Sequence, residues 1–285
     1  MASRTPNRWT ATCRPRMASS RPTLLGIPYD ASSSFLRGAA DAPPLIRRAL
    51  ASASSNTWTE SLRDLMADGT LADGGDLDLS GADDPRAAIE RGARAIVGRG
   101  DRPISLGGDH SVTYPLLRAI RPAHPQLTVL HVDAHGDLYD KFQGDRYSHA
   151  CPFARVMEEG LADRLVQVGI RTLNNHQRAQ ADRFGVDVID MRAWAAGRRP
   201  EVTGPIYLSI DLDALDPAFA PGVSHWEPGG LSVREVITLV QNIGGLLVGA
   251  DVVEYNPARD PTGVTAFVAA KLVKELASRM LADDA

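Results

Sequence analysis

The sequence predicts a doubly wound α/β fold on a mostly parallel sheet. Three observations carry this: short apolar runs recur along the chain, helix-like segments alternate with them, and polar residues gather just after the runs. The runs are residues 23–28, stopped by Pro28, then 103–106, 127–132, 165–170, 186–189, 206–212 and 246–253. They are nearly continuous in apolar residues, as strands covered on both faces are, and that is the signature of parallel sheets. Between them, residues 85–97 follow the N-cap candidates Asp83 and Asp84. Residues 111–121 follow a pair of glycines, and 232–243 open on Ser232-Val233-Arg234-Glu235, a capping-box pattern. The longest amphipathic stretch runs from Thr262 or Thr265 to Leu281. Alternating β and α segments argue for one domain over residues 21–285.

Composition narrows the partners. Of 285 residues 44% are hydrophobic and 23% charged, ordinary for a globular chain with a full core. Net charge is −4, and the 28 Arg and 3 Lys are scattered, so neither nucleic acid nor a membrane surface is an expected partner. No apolar stretch approaches the ~20 residues that cross a bilayer. The two cysteines, Cys13 and Cys151, cannot build a disulfide framework, so a reducing, cytoplasmic location is expected. Residues 1–20 carry four Arg and no acid. They read as a flexible tail, with a targeting peptide or a true start at Met17 as alternatives.

The chemistry lies at the ends of the predicted strands. Gly107-Gly108-Asp109-His110-Ser111 follows one, Asp133-Ala134-His135-Gly136-Asp137 the next, Asp211-Leu212-Asp213 ends a third and Glu254 a fourth. In a parallel sheet the carboxyl ends share one edge, where ligands bind. Residues at i and i+2 in extended chain point to one side. Asp133, Asp137, Asp211 and Asp213 would bring four negative charges together, which like-charge repulsion forbids without protons or cations. Two divalent ions would cancel them. Oxygen-rich ligands with two imidazoles and no thiolate suit Mn²⁺. Such a pair can ionise a water for attack on a planar carbon, hence metal-assisted hydrolysis. His131 could share the Asp133 face, but it sits deeper in the run and reads as structural. The loops 140–147 and 216–230, rich in Gly, Pro and polar residues, would shape a pocket.

These three motifs, with Asp216-Pro217 completing the third, resemble those of the ureohydrolases, a family that includes arginase, agmatinase, formiminoglutamase and guanidino-acid hydrolases. The resemblance runs from Gly26-Ile27-Pro28-Tyr29-Asp30 to the last helix. It implies a three-layer αβα sandwich, two Mn²⁺ per subunit, and a trimer or hexamer. It implies that His110, Asp133, Asp137 and Asp211 hold one ion, and His135, Asp133, Asp211 and Asp213 the other. Glu254 matches the family's guanidinium-binding glutamate, a role suited to a carboxylate that can accept paired N–H bonds. His149 matches a histidine near the pocket mouth and is expected to pass protons to the departing amine. Asp137 is expected to carry the water's proton to the leaving nitrogen. Cys151 reads as packing.

The expected reaction releases urea and an amine from a small guanidino compound. The run Gly222-Val223-Ser224-His225-Trp226-Glu227 departs from the Gly-Thr-Gly-Thr-Pro of agmatinases, and the polar run of arginases after Asp137 is replaced by Leu138-Tyr139-Asp140. An agmatinase-like substrate is the expectation. Formiminoglutamase, arginase and other guanidino-acid hydrolases are alternatives, and a metallophosphoesterase or a non-catalytic binding protein are remote ones.

Overall fold

The computed structural model describes residues 20–67 and 70–283. All but the last residue of the tail expected over residues 1–20 therefore lie outside the described residues. The elements run β1 (Pro22–Gly26), α1 (Ala42–Leu50), β2 (Ala72–Asp76), α2 (Pro85–Val97), β3 (Arg102–Leu106), α3 (Thr113–Ile120), β4 (Thr128–Val132) and α4 (Pro152–Glu158). They continue β5 (Arg164–Ile170), α5 (Asn175–Phe184), β6 (Asp187–Asp190), α6 (Met191–Ala195), β7 (Pro205–Asp211), α7 (Val233–Gln241), β8 (Leu246–Val253) and α8 (Val264–Ala282).

Eight strands form one sheet in the order β2-β1-β3-β8-β7-β4-β5-β6, every neighbouring pair parallel. The apolar runs read from the sequence are its six inner strands, both of whose faces are covered, and the edge strand β6, which is only partly buried. Leu130, Val132, Leu208, Ile210, Ala250 and Val252 pack on one side, beneath α1, α7 and α8. Val129, Tyr207, Val248 and Val253 pack on the other, beneath α2, α3 and α4. This is the three-layer αβα sandwich. Helix α7 opens with the full capping box between Ser232 and Glu235.

Several elements carry no apolar signal. Strand β2, Ala-Asp-Gly-Gly-Asp, is an exposed edge that pairs with β1 through backbone alone. Helix α1 begins with two prolines, which read as a break but are tolerated in a first turn whose N–H groups have no helical acceptor. Helix α5 buries only Gln177, Gln180 and Ala181, so no stripe marks it.

The order of the central strands positions the site. Strands β3, β8, β7 and β4 are adjacent, and the pairs Leu106↔Val252, Ile210↔Val252 and Val132↔Ile210 level their carboxyl ends. Four neighbouring strands therefore deliver residues to one edge. Gly107 and Gly108 turn the chain there at φ 71° and 87°; a Cβ on Gly108 would lie 2.8 Å from the Tyr29 carbonyl oxygen.

Candidate metal centre

Two His/Asp clusters share Asp133. In the first, His110 Nδ1 lies 3.1 Å from Asp133 Oδ2, from Asp137 Oδ2 and from Asp211 Oδ2, and all four residues are buried. In the second, His135 Nδ1 lies 3.0 Å from Asp213 Oδ2 and 3.4 Å from Asp133 Oδ1. Asp133 thus turns one oxygen to each cluster. All six ligands expected from the sequence meet at this edge.

Hydrogen bonding sets the imidazole tautomers. Buried Asp251 accepts from Thr113 Oγ1 (2.9 Å), the Tyr207 hydroxyl (2.6 Å) and Ser209 Oγ (2.7 Å). Ser209 has spent its only proton on Asp251, so it must accept from His110 Nε2, 2.9 Å away. The lone pair of a neutral His110 therefore sits on Nδ1, facing the three carboxylates. That atom is buried without a hydrogen-bond partner of acceptable geometry. His131 differs. Gln167 Nε2 donates to the Gly136 carbonyl (2.6 Å), which fixes its amide, and also to His131 Nδ1 (3.0 Å). His131 Nε2–H then donates to Asp133 Oδ2 at 2.7 Å. Although it sits within the cluster, His131 orients a ligand, which is the structural role its depth in the strand suggests.

The electrostatics show a shortage of positive charge. Burial pushes Asp211 well above the usual carboxylate range, and the charges of Asp213 and Asp133 add to it. Burial, with Asp133 beside it, brings Asp213 up to about 6. Burial alone would raise Asp133 too, but His131, His110 and His135 override it and hold it well below the range. Burial alone would lower His110 and His135, yet their carboxylate neighbours draw both well above an ordinary imidazole.

Divalent cations fit these residues. An orphaned imidazole nitrogen faces three carboxylate oxygens that no single proton can serve. Ligand atoms at right angles around an ion with bonds of about 2.0–2.2 Å stand about 3 Å apart, the spacing seen here. Chelation with EDTA is accordingly expected to lower the melting temperature by roughly 5–15 °C, at ~2.7 kcal/mol per site for ligand at a hundredfold over Kd. Added Mn²⁺ should restore it. An unchanged melting curve would show that the clusters hold no metal.

Glu254 borders the first cluster at φ 63°, and Asp137 within it sits at φ 49°. A left-handed backbone at a non-glycine residue costs of order 1–3 kcal/mol and marks functional sites. Glu254 Oε1 accepts the His110 amide (2.9 Å) and His149 Nδ1 (2.8 Å). Burial would raise this carboxyl, but those partners hold it below its ordinary value, hence ionised. Oε2 takes no hydrogen bond from the described residues, and the side chain lines a cavity of about 190 Å³.

His149 Nε2 lies 3.1 Å from the Ser34 amide and 2.8 Å from Ser34 Oγ. Burial would lower His149, yet the Glu254 charge pushes it up to about 9. The amide N–H can only donate, however, so Nε2 must offer its lone pair. His149 is therefore neutral in this geometry, with Nδ1–H directed at Glu254. Asp109 ties the Ser34 loop to the metal edge by accepting the Ser32 amide at 2.9 Å and the Ser111 amide at 3.1 Å.

Other residues at the site carried no sequence signal. Arg171 donates to the carbonyls of Asp213, Ala214 and Glu227, pinning the 216–230 loop beside the second cluster. Gln177 lines the cavity, filling space that a Cβ on Gly136 would enter at 2.9 Å. Glu227 Oε1 stands 3.9 Å from His135 Nε2. The Cys151 thiol is buried and pushed up to about 12, chiefly by burial. A thiol so protonated is a poor nucleophile, so Cys151→Ala is expected to keep activity within about threefold while costing ~1 kcal/mol of stability. A larger loss of activity in a stable variant would give Cys151 a chemical role.

Known proteins are similar to this chain in sequence and in fold. The family model described as the arginase family matches residues 20–278. Arginase 1, mitochondrial, of Arabidopsis thaliana is 46% identical over 280 residues, covering 92% of this chain and 82% of its own. Guanidinopropionase of Pseudomonas aeruginosa is 39% identical, covering 89% and 84%. The solved structure of arginase from Medicago truncatula superposes with a TM-score of 0.88 at 44% identity, covering 92% of this chain and 88% of that one. A family match over nearly the whole chain, on a sheet whose edge gathers buried carboxylates and imidazoles that could hold metal ions, means that this protein belongs to the arginase family and is a guanidino hydrolase.

Proposed function

We propose that this chain hydrolyses L-arginine to urea and ornithine at a pair of Mn²⁺ ions held by His110, Asp133, Asp137 and Asp211 on one side and His135, Asp133, Asp211 and Asp213 on the other. The observation that carries it is Glu254, an ionised carboxylate that lines the cavity beside the clusters and keeps Oε2 free of hydrogen bonds from the described residues. When bound, the ions supply Lewis acidity and a water nucleophile at neutral pH. The protein does the rest. Glu254 accepts N–H bonds from the planar guanidinium and sets its carbon beside the clusters. His149 holds Glu254 in place. Any proton it exchanges with the departing amine must run through the Ser34 hydroxyl, the partner of its second nitrogen. Asp137 takes the proton that the attacking water releases and returns it to the leaving nitrogen.

The tail of the substrate meets Ser34, Tyr139, Phe142, Thr172, Gln177 and Glu227, and no Lys or Arg is among the described residues lining the cavity. A lone carboxylate tail would find no counter-charge there. A zwitterion or an amine suits it better, and the names of relatives at 45–46% identity favour arginine. Agmatine, the amine-tailed substrate expected from the sequence, is the second reading, favoured by Glu227. A panel of L-arginine, agmatine, guanidinobutyrate and formiminoglutamate with the Mn²⁺-loaded enzyme tests both. L-arginine should give the highest kcat/KM for urea release and guanidinobutyrate the lowest among the urea-releasing substrates. A higher kcat/KM for agmatine would replace the first reading by the second, and no urea from any of them would overturn both.

A further inference from the structure

The cavity holds an imidazole that the reaction as described leaves unused. His225 lines it, with ring centroids 5.4 Å from His149 and 5.7 Å from His135, between the Glu254 side and the second cluster. It makes no hydrogen bond with the described residues, although the chain on either side of it is pinned. Ser224 Oγ donates to the Leu36 carbonyl and accepts from Asn256 Nδ2, both at 3.0 Å. Trp226 Nε1 donates to the Pro221 carbonyl at 2.8 Å, and the Arg259 guanidinium stacks on its ring at 4.2 Å. A side chain presented so firmly, with unused nitrogens facing a cavity, is placed for a ligand.

A monosubstituted guanidinium has five N–H groups. A carboxylate such as Glu254 accepts two of them and three are left, so a further acceptor in the cavity strengthens binding. His149 cannot serve, because both its nitrogens are engaged. We propose that His225 contacts the substrate directly, its imidazole accepting a guanidinium N–H on the side away from Glu254. The inference rests on the guanidino-hydrolase reading above. Burial keeps His225 below an ordinary imidazole, against the pull of Glu254 and Asp137. A neutral ring accepts from a cation, whereas a charged one would repel it.

The test compares His225→Phe, which keeps ring volume without an acceptor, with His225→Gln, whose amide oxygen can replace the imidazole nitrogen. Bound Mn²⁺ and the kcat and KM for urea release from L-arginine are measured for each. The Phe variant should lose roughly tenfold to a hundredfold in kcat/KM with bound metal unchanged, and the Gln variant should stay within about fivefold of wild type. Wild-type kcat/KM in the Phe variant, or a Gln variant as impaired as Phe, would overturn the proposal. Should the Phe variant lose metal, Gln against Ala decides on the same criteria. Absence of urea from the wild-type enzyme with L-arginine, agmatine and guanidinobutyrate alike would instead bring down the hydrolase reading, and this inference with it.

Discussion

Asp133→Asn is expected to empty the metal centre and reduce kcat/KM by about a thousandfold or more. Asp133 faces His110 through Oδ2 and His135 through Oδ1, and so belongs to both clusters. It is also the best-supported ligand, since His131 donates to Oδ2 and the His135 amide to Oδ1 at 2.6 Å. An asparagine keeps the shape but removes the charge and one acceptor. It leaves three other carboxylates crowded at one edge with less to bind cations. Metal-ion catalysis supplies several kcal/mol, and about 4 kcal/mol corresponds to a thousandfold in rate. The variant should show less than half the wild-type bound metal by elemental analysis. Full metal content with full urea release would end the two-cluster assignment.

Glu254→Gln is expected to spare the metal and remove the substrate. Two N–H groups, from the His110 amide and His149, converge on Oε1, so the glutamine must keep its carbonyl oxygen there. Its NH₂ then occupies the position that faces the cavity, and a donor meets the donors of the guanidinium. A buried cation left without its partner costs about 3–5 kcal/mol. The expected loss in kcat/KM is therefore at least about a hundredfold, in both kcat and KM, with bound metal unchanged. A KM equal to wild type would show that another group binds the guanidinium.

The metal edge was legible because its residues sit in contiguous motifs at strand ends, although the chain leaves the extended form there: residues 134–135 bend and Asp213 lies in a short 3-10 helix, so nearness to the strand ends rather than extended alternation brings them together. The inner strands were legible because burial on both faces leaves an unbroken apolar run. What was hidden depends on distance in the chain. The bond from Ser34 to His149 spans 115 residues, and that from Asp251 to Ser209 spans 42. Neither leaves a local trace. His225 and Glu227 belong to a loop held by Arg171 and Asn256, and the choice of which side chains face inward is made by tertiary contacts. Edge strand β2 and helix α5 stayed hidden because they bury little.

The sheet order also has a consequence for biosynthesis. Strands β3 and β4 follow one another in the chain, yet β8 and β7 lie between them. A ribosome that has released only the first half of the polypeptide has made His110 and Asp133, but not the two staves that bring them side by side. Ion capture must wait for Leu246–Val253 to emerge, because β8 fills the gap between β3 and β7. A nascent chain halted before residue 246 should therefore be unable to retain metal.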